Sequence, residues 1–100
     1  MNNLIFSDEI SELPLTDFLL KSKKPIVLNV YSYKSYFKVE CKEYDIHFII
    51  LELSNLQKEF IDWFEFLWRN YAKCSNKKLS KSGRILKKKL IDNFEIIPLG

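Results

Sequence analysis

The stretch IVLNVYSYKSYFKVECKEYDIHFIILEL, residues 26–53, decides the architecture. Ile26, Leu28 and Val30 alternate with Val27, Asn29 and Tyr31. A period of two in β-branched and aromatic residues predicts a strand over Ile26–Tyr33. Lys34-Ser35 interrupts it, and the alternation then resumes from Tyr36 to Cys41, with Phe37, Val39 and Cys41 opposing Tyr36, Lys38 and Glu40. Two such runs around a short polar break read as a hairpin with an apolar inside and a polar outside. After Lys42–Asp45 comes a third run, Ile46–Leu53, apolar on both faces: Ile46, Phe48 and Ile50 against Ile49, Leu51 and Leu53. Such a strand is expected at the centre of its sheet, or covered on both sides by a second layer or a second subunit.

Downstream, Ser54 and Gln57 have capping-box spacing, so a helix is expected to start there. Its apolar face is Leu56, Phe60, Trp63, Phe64, Leu67, Trp68 and Tyr71, widened by Ile61 and Phe66. Lys58, Glu59, Asp62, Glu65 and Arg69 form the wet side, with Glu65 and Arg69 spaced for an i,i+4 ion pair. Asn76–Ser82 reads as a polar basic loop, and Ser82 is expected to cap a second helix carrying Leu86, Leu90 and Phe94. Glu95–Leu99 returns as a short edge strand, a position that tolerates Pro98. Upstream, the apolar piece Leu4–Phe6 precedes a short helix opened by Pro14, with Leu15, Phe18 and Leu19 on one face and an end at Lys21–Pro25. The expected fold is one α+β domain over residues 1–100. It has two layers, a small antiparallel sheet of three to four strands with two C-terminal helices packed on one face.

The chemistry available is narrow. A composition of 47% hydrophobic and 29% charged residues is that of a folded chain. The two glycines, Gly83 and Gly100, are too few and too far apart for a loop that cradles phosphate. His47 is the single histidine, so a general base working with Cys41 or Asp45 is the most that can be assembled. A strand histidine with a local hydrogen bond accounts for it better, and no catalysis is expected. Cys41, Cys74 and His47 lack metal-ligand spacing. Glu59, Asp62 and Glu65 are interleaved with Lys58 and Arg69, as on a solvated helix surface. No metal or cofactor is implied. The opening MNNLIFSDEISE carries acids where a secretory leader needs bases, and no apolar run approaches the about 20 residues that span a bilayer. The expectation is a cytoplasmic protein whose cysteines are free.

Two features point to binding. Residues 1–72 hold 8 Lys/Arg and 11 Asp/Glu, whereas residues 73–100 hold 8 and 2. No acid interrupts the chain from Lys73 to Ile91. Lys77, Lys78, Lys81, Arg84, Lys87, Lys88 and Lys89 are therefore candidate nucleic-acid-binding residues. Plain solubilisation or an acidic protein partner explains the same pattern, and the stretch has no aromatic stacking platform or helix-turn-helix signature. The aromatic helix, in turn, carries more apolar area than three strands readily cover. Phe66, Trp68 and Ile61 are the candidate partner-binding residues, for a homodimer or another protein.

The pieces VLNVYSYKSYFKVECKEYDIHF, SNLQKEFIDWFEFLWRNYA and LSKSGRILKKKLIDNF, from Ile26 to Phe94, resemble HicB-like small antitoxins. The likeness lies in a YxVEC-type hairpin, a helix ending F-LW--Y and a closing LK--L helix. The usual glycine after the third strand is missing, as is the threonine–acid–acid–alanine helix start. The resemblance implies a protein that neutralises a toxin by occlusion and often dimerises, with autoregulation through DNA in some members. The lack of catalytic groups adds the expectation of a non-enzymatic, stoichiometric inhibitor, of a toxin or of a defence enzyme. A nucleic-acid-binding module using residues 73–89 is the alternative expectation.

Overall fold

The computed structural model describes residues 4–99. Five strands form one antiparallel sheet: β1 (Leu4–Pro14), β2 (Phe18–Ser32), β3 (Phe37–Cys41), β4 (Ile46–Ile50) and β5 (Phe94–Pro98). Between β4 and β5 come α1 (Leu56–Leu67) and α2 (Lys81–Asn93). The α+β class, the single sheet and the two C-terminal helices agree with the sequence reading. The sheet gains a strand because the N-terminal third is β rather than helical.

That third holds the main correction. Leu15, Phe18 and Leu19 match helical spacing, but Leu13, Leu15 and Leu20 are the residues that bury. Thr16-Asp17 instead forms the tip of a hairpin in which Leu15 N–H donates to the Phe18 carbonyl at 2.9 Å. A helix of so few residues closes too few hydrogen bonds to offset its nucleation cost, whereas Phe18–Ser22 pairs with β5 and Leu19–Lys21 also with β1. The Lys21–Pro25 segment therefore does not end an element: β2 runs through it. Ile10 pairs with Ile26 but Glu12 with Lys21, so the extra residues of β2 bulge out at Lys23-Lys24-Pro25. Pro25 lacks an N–H to donate, which suits it to that irregularity.

Beyond the bulge, the two halves of β2 have different partners. Asn29–Ser32 pairs with β3, and Phe18–Ser22 pairs with β5 in the register Leu20↔Ile96. The Lys34-Ser35 hairpin is closed by Tyr33 N–H to the Tyr36 carbonyl at 2.9 Å. A 3₁₀ turn, Lys42–Tyr44, then leads through Asp45, whose φ is positive (54°), into β4. Aspartate tolerates that left-handed geometry better than branched residues do.

One face of the sheet is dry. Leu20, Ile26, Leu28, Val30, Val39, Cys41, Ile46, Phe48 and Ile50 are buried there beneath Leu56, Phe60, Phe64, Trp68 and Leu90 of the helical layer. Tyr44 and Phe94 close the end of this core, packing on Phe64 at ring separations of 5.4 and 5.0 Å. The opposite face, with Val27, Asn29, Tyr31, Lys38, Glu40, His47 and Ile49, is half-buried or exposed. The molecule measures 42 × 35 × 20 Å, and its shortest axis fits one sheet and one helical layer.

Both helix starts are shifted from the sequence expectation. A 3₁₀ turn over Leu53–Asn55 precedes α1, and no side chain caps it, so the Ser54–Gln57 box is not formed. Ser80 rather than Ser82 caps α2, its Oγ accepting the Gly83 N–H at 3.1 Å. Beyond Leu67 the chain loosens into a π-turn, Trp68–Ala72, where Lys73 N–H reaches back to the Trp68 carbonyl at 3.2 Å.

Candidate interaction surface

β4 lies at the end of the strand path, pairing with β3 on one side and with no described strand on the other. A run apolar on both faces is expected either at the centre of its sheet or covered on both sides by a second layer or subunit. The structure puts it at an edge, since β5 adds to β2 rather than to β4. Open edges invite further strands unless charge, proline or a bulge protects them. β1 carries Asp8, Glu9 and Glu12, and β5 carries Glu95 and Pro98. β4 is Ile-His-Phe-Ile-Ile, with no acid, lysine or proline.

Beside this edge, apolar side chains stay uncovered. Ile49 is 61% exposed on β4, Trp63 45% and Phe66 58% on α1. Trp63 and Phe66 meet edge-to-face at 6.3 Å. An open groove of about 620 Å³ runs between the edge and α1, lined by Tyr33, Tyr36, Lys38, His47, Phe48, Ile49, Glu59 and Trp63. Glu59 and Trp63 also line a shallower hollow with Asp62 and Phe66, so the groove continues across α1. At its other end Tyr33 and Tyr36 stack at 5.0 Å.

The helix geometry explains which aromatics are left out. Leu56, Phe60, Phe64 and Trp68 follow at four-residue steps and define the spine of the buried face. Trp63 lies on the flank of that spine and Phe66 opposite it. Of the partner-binding candidates, Phe66 is therefore on the surface and Ile61 is half-buried against the core. Trp68 is a correction: only 3% exposed, it packs on Phe18 and Phe94 at 6.3 and 6.1 Å and offers no surface. Trp63, on the apolar face expected from the sequence, is the tryptophan that stays exposed. Distance from the four-residue spine was the available signal.

On the outer sheet face, His47 pairs across the strands with Glu40. Its Nε2 lies 3.1 Å from Asp45 Oδ1 and its Nδ1 3.7 Å from Glu40 Oε2. Both ring nitrogens thus face carboxylates, and the one within hydrogen-bond distance is Nε2, to Asp45. Cys41 points the other way into the core, where burial raises its thiol pKa. The cysteines are free, and no group of three or more His, Cys, Asp or Glu among the described residues is placed to hold a metal. None of the described helices is long and apolar enough to cross a membrane.

The basic candidates divide into two sets. Lys87 Nζ donates to the Cys74 carbonyl at 2.6 Å, and Lys89 pairs with Glu43 at 3.5 Å while lying 5.7 Å above the Tyr44 ring. Both are half-buried and turned inward. Lys77, Lys78, Lys81, Arg84 and Lys88 are exposed and enter no ion pair among the described residues.

No protein-family model, curated protein or solved structure matches the chain.

Proposed function

We propose that this chain is a non-enzymatic interaction protein of the antitoxin or inhibitor type, acting by stoichiometric occlusion of a protein partner. The observation that carries the reading is the unprotected edge of β4 beside the exposed side chains Ile49, Trp63 and Phe66. An extended segment of the partner adds to β4 as a further strand. Main-chain hydrogen bonds supply part of the affinity, and alternate side chains enter the groove. Trp63 and Phe66 are the anchors, since aromatic residues concentrate binding energy at interfaces.

A toxin-like enzyme as the partner rests on the family resemblance of residues 26–94. A homodimer, β4 against β4 about a two-fold axis, would occupy the same edge in place of the partner strand, and a measured mass of twice the chain with no retained partner would identify it. The test is affinity purification of tagged protein from its host, alongside the variants Ile49→Lys and Phe66→Ser, with mass measured by light scattering. A protein retained at fixed stoichiometry by the parent and released by both variants supports the reading. Retention unchanged in both variants, with folding intact by circular dichroism, moves the interface elsewhere.

A further inference from the structure

We propose that the exposed face of α2, with the turn before it, binds the phosphodiester backbone of duplex nucleic acid. Gly83 and Leu90 turn α2 towards the core, so Lys81, Arg84 and Lys88, at i, i+3 and i+7, share the opposite side. The 3₁₀ turn Asn76–Lys78 adds Lys77 and Lys78. This turn is held against the helix: Arg84 Nε donates to the Asn76 carbonyl at 2.9 Å, and Lys87 ties down the Cys74 carbonyl. The inward lysine thus acts as scaffold, and the backbone of the turn that carries Lys77 and Lys78 is held against α2.

None of these five cations enters an ion pair among the described residues, and residues 73–91 contain no acid. Asp92, one turn beyond Lys88, is the carboxylate that lines the same hollow as Arg84 and Lys88. From Lys81 to Lys88 the helix rises about 10 Å. A duplex presents one negative charge per about 1.7 Å of axis, so the same length offers about six. The helix dipole adds partial positive charge at the Lys81 end. The ligand follows from what the face lacks. Its exposed apolar side chains are Ile85 and Ile91, with no aromatic ring beside them to stack on unpaired bases. Phosphates of a paired duplex need only charge, so contact is to the backbone and independent of sequence. The remainder of the chain, 8 Lys/Arg against 11 Asp/Glu over residues 1–72, turns this face towards a polyanion as it approaches.

Fluorescence anisotropy with a labelled duplex, across a salt series, tests the proposal. Five phosphate contacts predict an affinity loss of about 500-fold on raising salt from about 50 to 200 mM. Replacing Lys77, Lys78, Lys81 and Lys88 by Gln leaves Arg84 and cuts that loss to about 4-fold. Replacing Lys21, Lys23, Lys24 and Lys34 by Gln removes equal charge elsewhere and keeps the steep dependence. Absence of binding at low salt, or an unchanged salt dependence in the first variant, overturns the proposal. So does equal loss in the second variant, or tighter binding to a single strand or to polyglutamate than to the duplex.

Discussion

Glu65 is a polar anchor between the hairpin and the helical layer. Its Oε1 accepts from the Thr16 backbone N–H at 2.6 Å and from Thr16 Oγ1 at 2.7 Å, while Oε2 lies 3.6 Å from Arg69. The Arg69 pair was legible at i,i+4, but the Thr16 bonds, 49 residues apart in sequence, were not. Those Thr16 bonds, first from the hydroxyl and then from the backbone, hold the Glu65 carboxyl below its ordinary 4.5. The folded state therefore releases this proton more readily than the unfolded state. Its stabilisation is present above the ordinary value and is lost as pH falls through the lowered one. Glu65→Gln is expected to flatten the acid limb of stability, measured by urea denaturation at stepped pH. Tyr44 behaves in the opposite sense. Burial pushes its phenol up to about 12, against the Asn93 Nδ2–H bond at 3.1 Å that favours ionisation. Stability should hold below the ordinary 10.0 and fall as pH rises towards about 12, and Tyr44→Phe should remove that alkaline limb.

At the scale of elements, the two helices separate what caps from what covers. Ser80→Ala should cost about 1 kcal/mol through loss of the Gly83 N–H partner. Ser82→Ala and Ser54→Ala, at the starts expected from sequence, should change stability by less than about 0.5 kcal/mol. Denaturant midpoints of the three variants decide the matter: equal losses at Ser80 and Ser82 would contradict the observed cap. Along α1, Phe64→Ala opens the core and is expected to cost about 3–5 kcal/mol. Phe66→Ser removes an exposed ring and should leave stability within about 0.5 kcal/mol while weakening partner binding. Loss of stability comparable to Phe64→Ala would place Phe66 in the core and remove it from the surface. The periodicity gave the helix and its broad apolar side. It did not separate Trp63 from Trp68, because both fall within the apolar arc, and the limits of the cover depend on where the sheet and α2 lie.

At the scale of the molecule, the bent strand β2 governs the arrangement, because its two halves recruit different partners and so send β5 away from β4. The consequence is an open apolar edge on one flank and a basic helix face on another, two surfaces that separate variants can probe. Ile49→Lys should abolish strand addition without altering duplex binding, a pairing checked by running light scattering and anisotropy on the same sample. Sequence alone determined what is local. The alternation of Ile26–Cys41, the four-residue spine of α1 and the uninterrupted charge from Lys73 to Ile91 follow from neighbouring residues and the geometry of one element. Tertiary structure decided which element sits beside which. The Thr16-Asp17 hairpin, the edge position of β4, the exposure of Trp63 and the inward turn of Lys87 and Lys89 all depend on pairings between distant segments. Their energies are set by what each surface meets after folding, which no local period records.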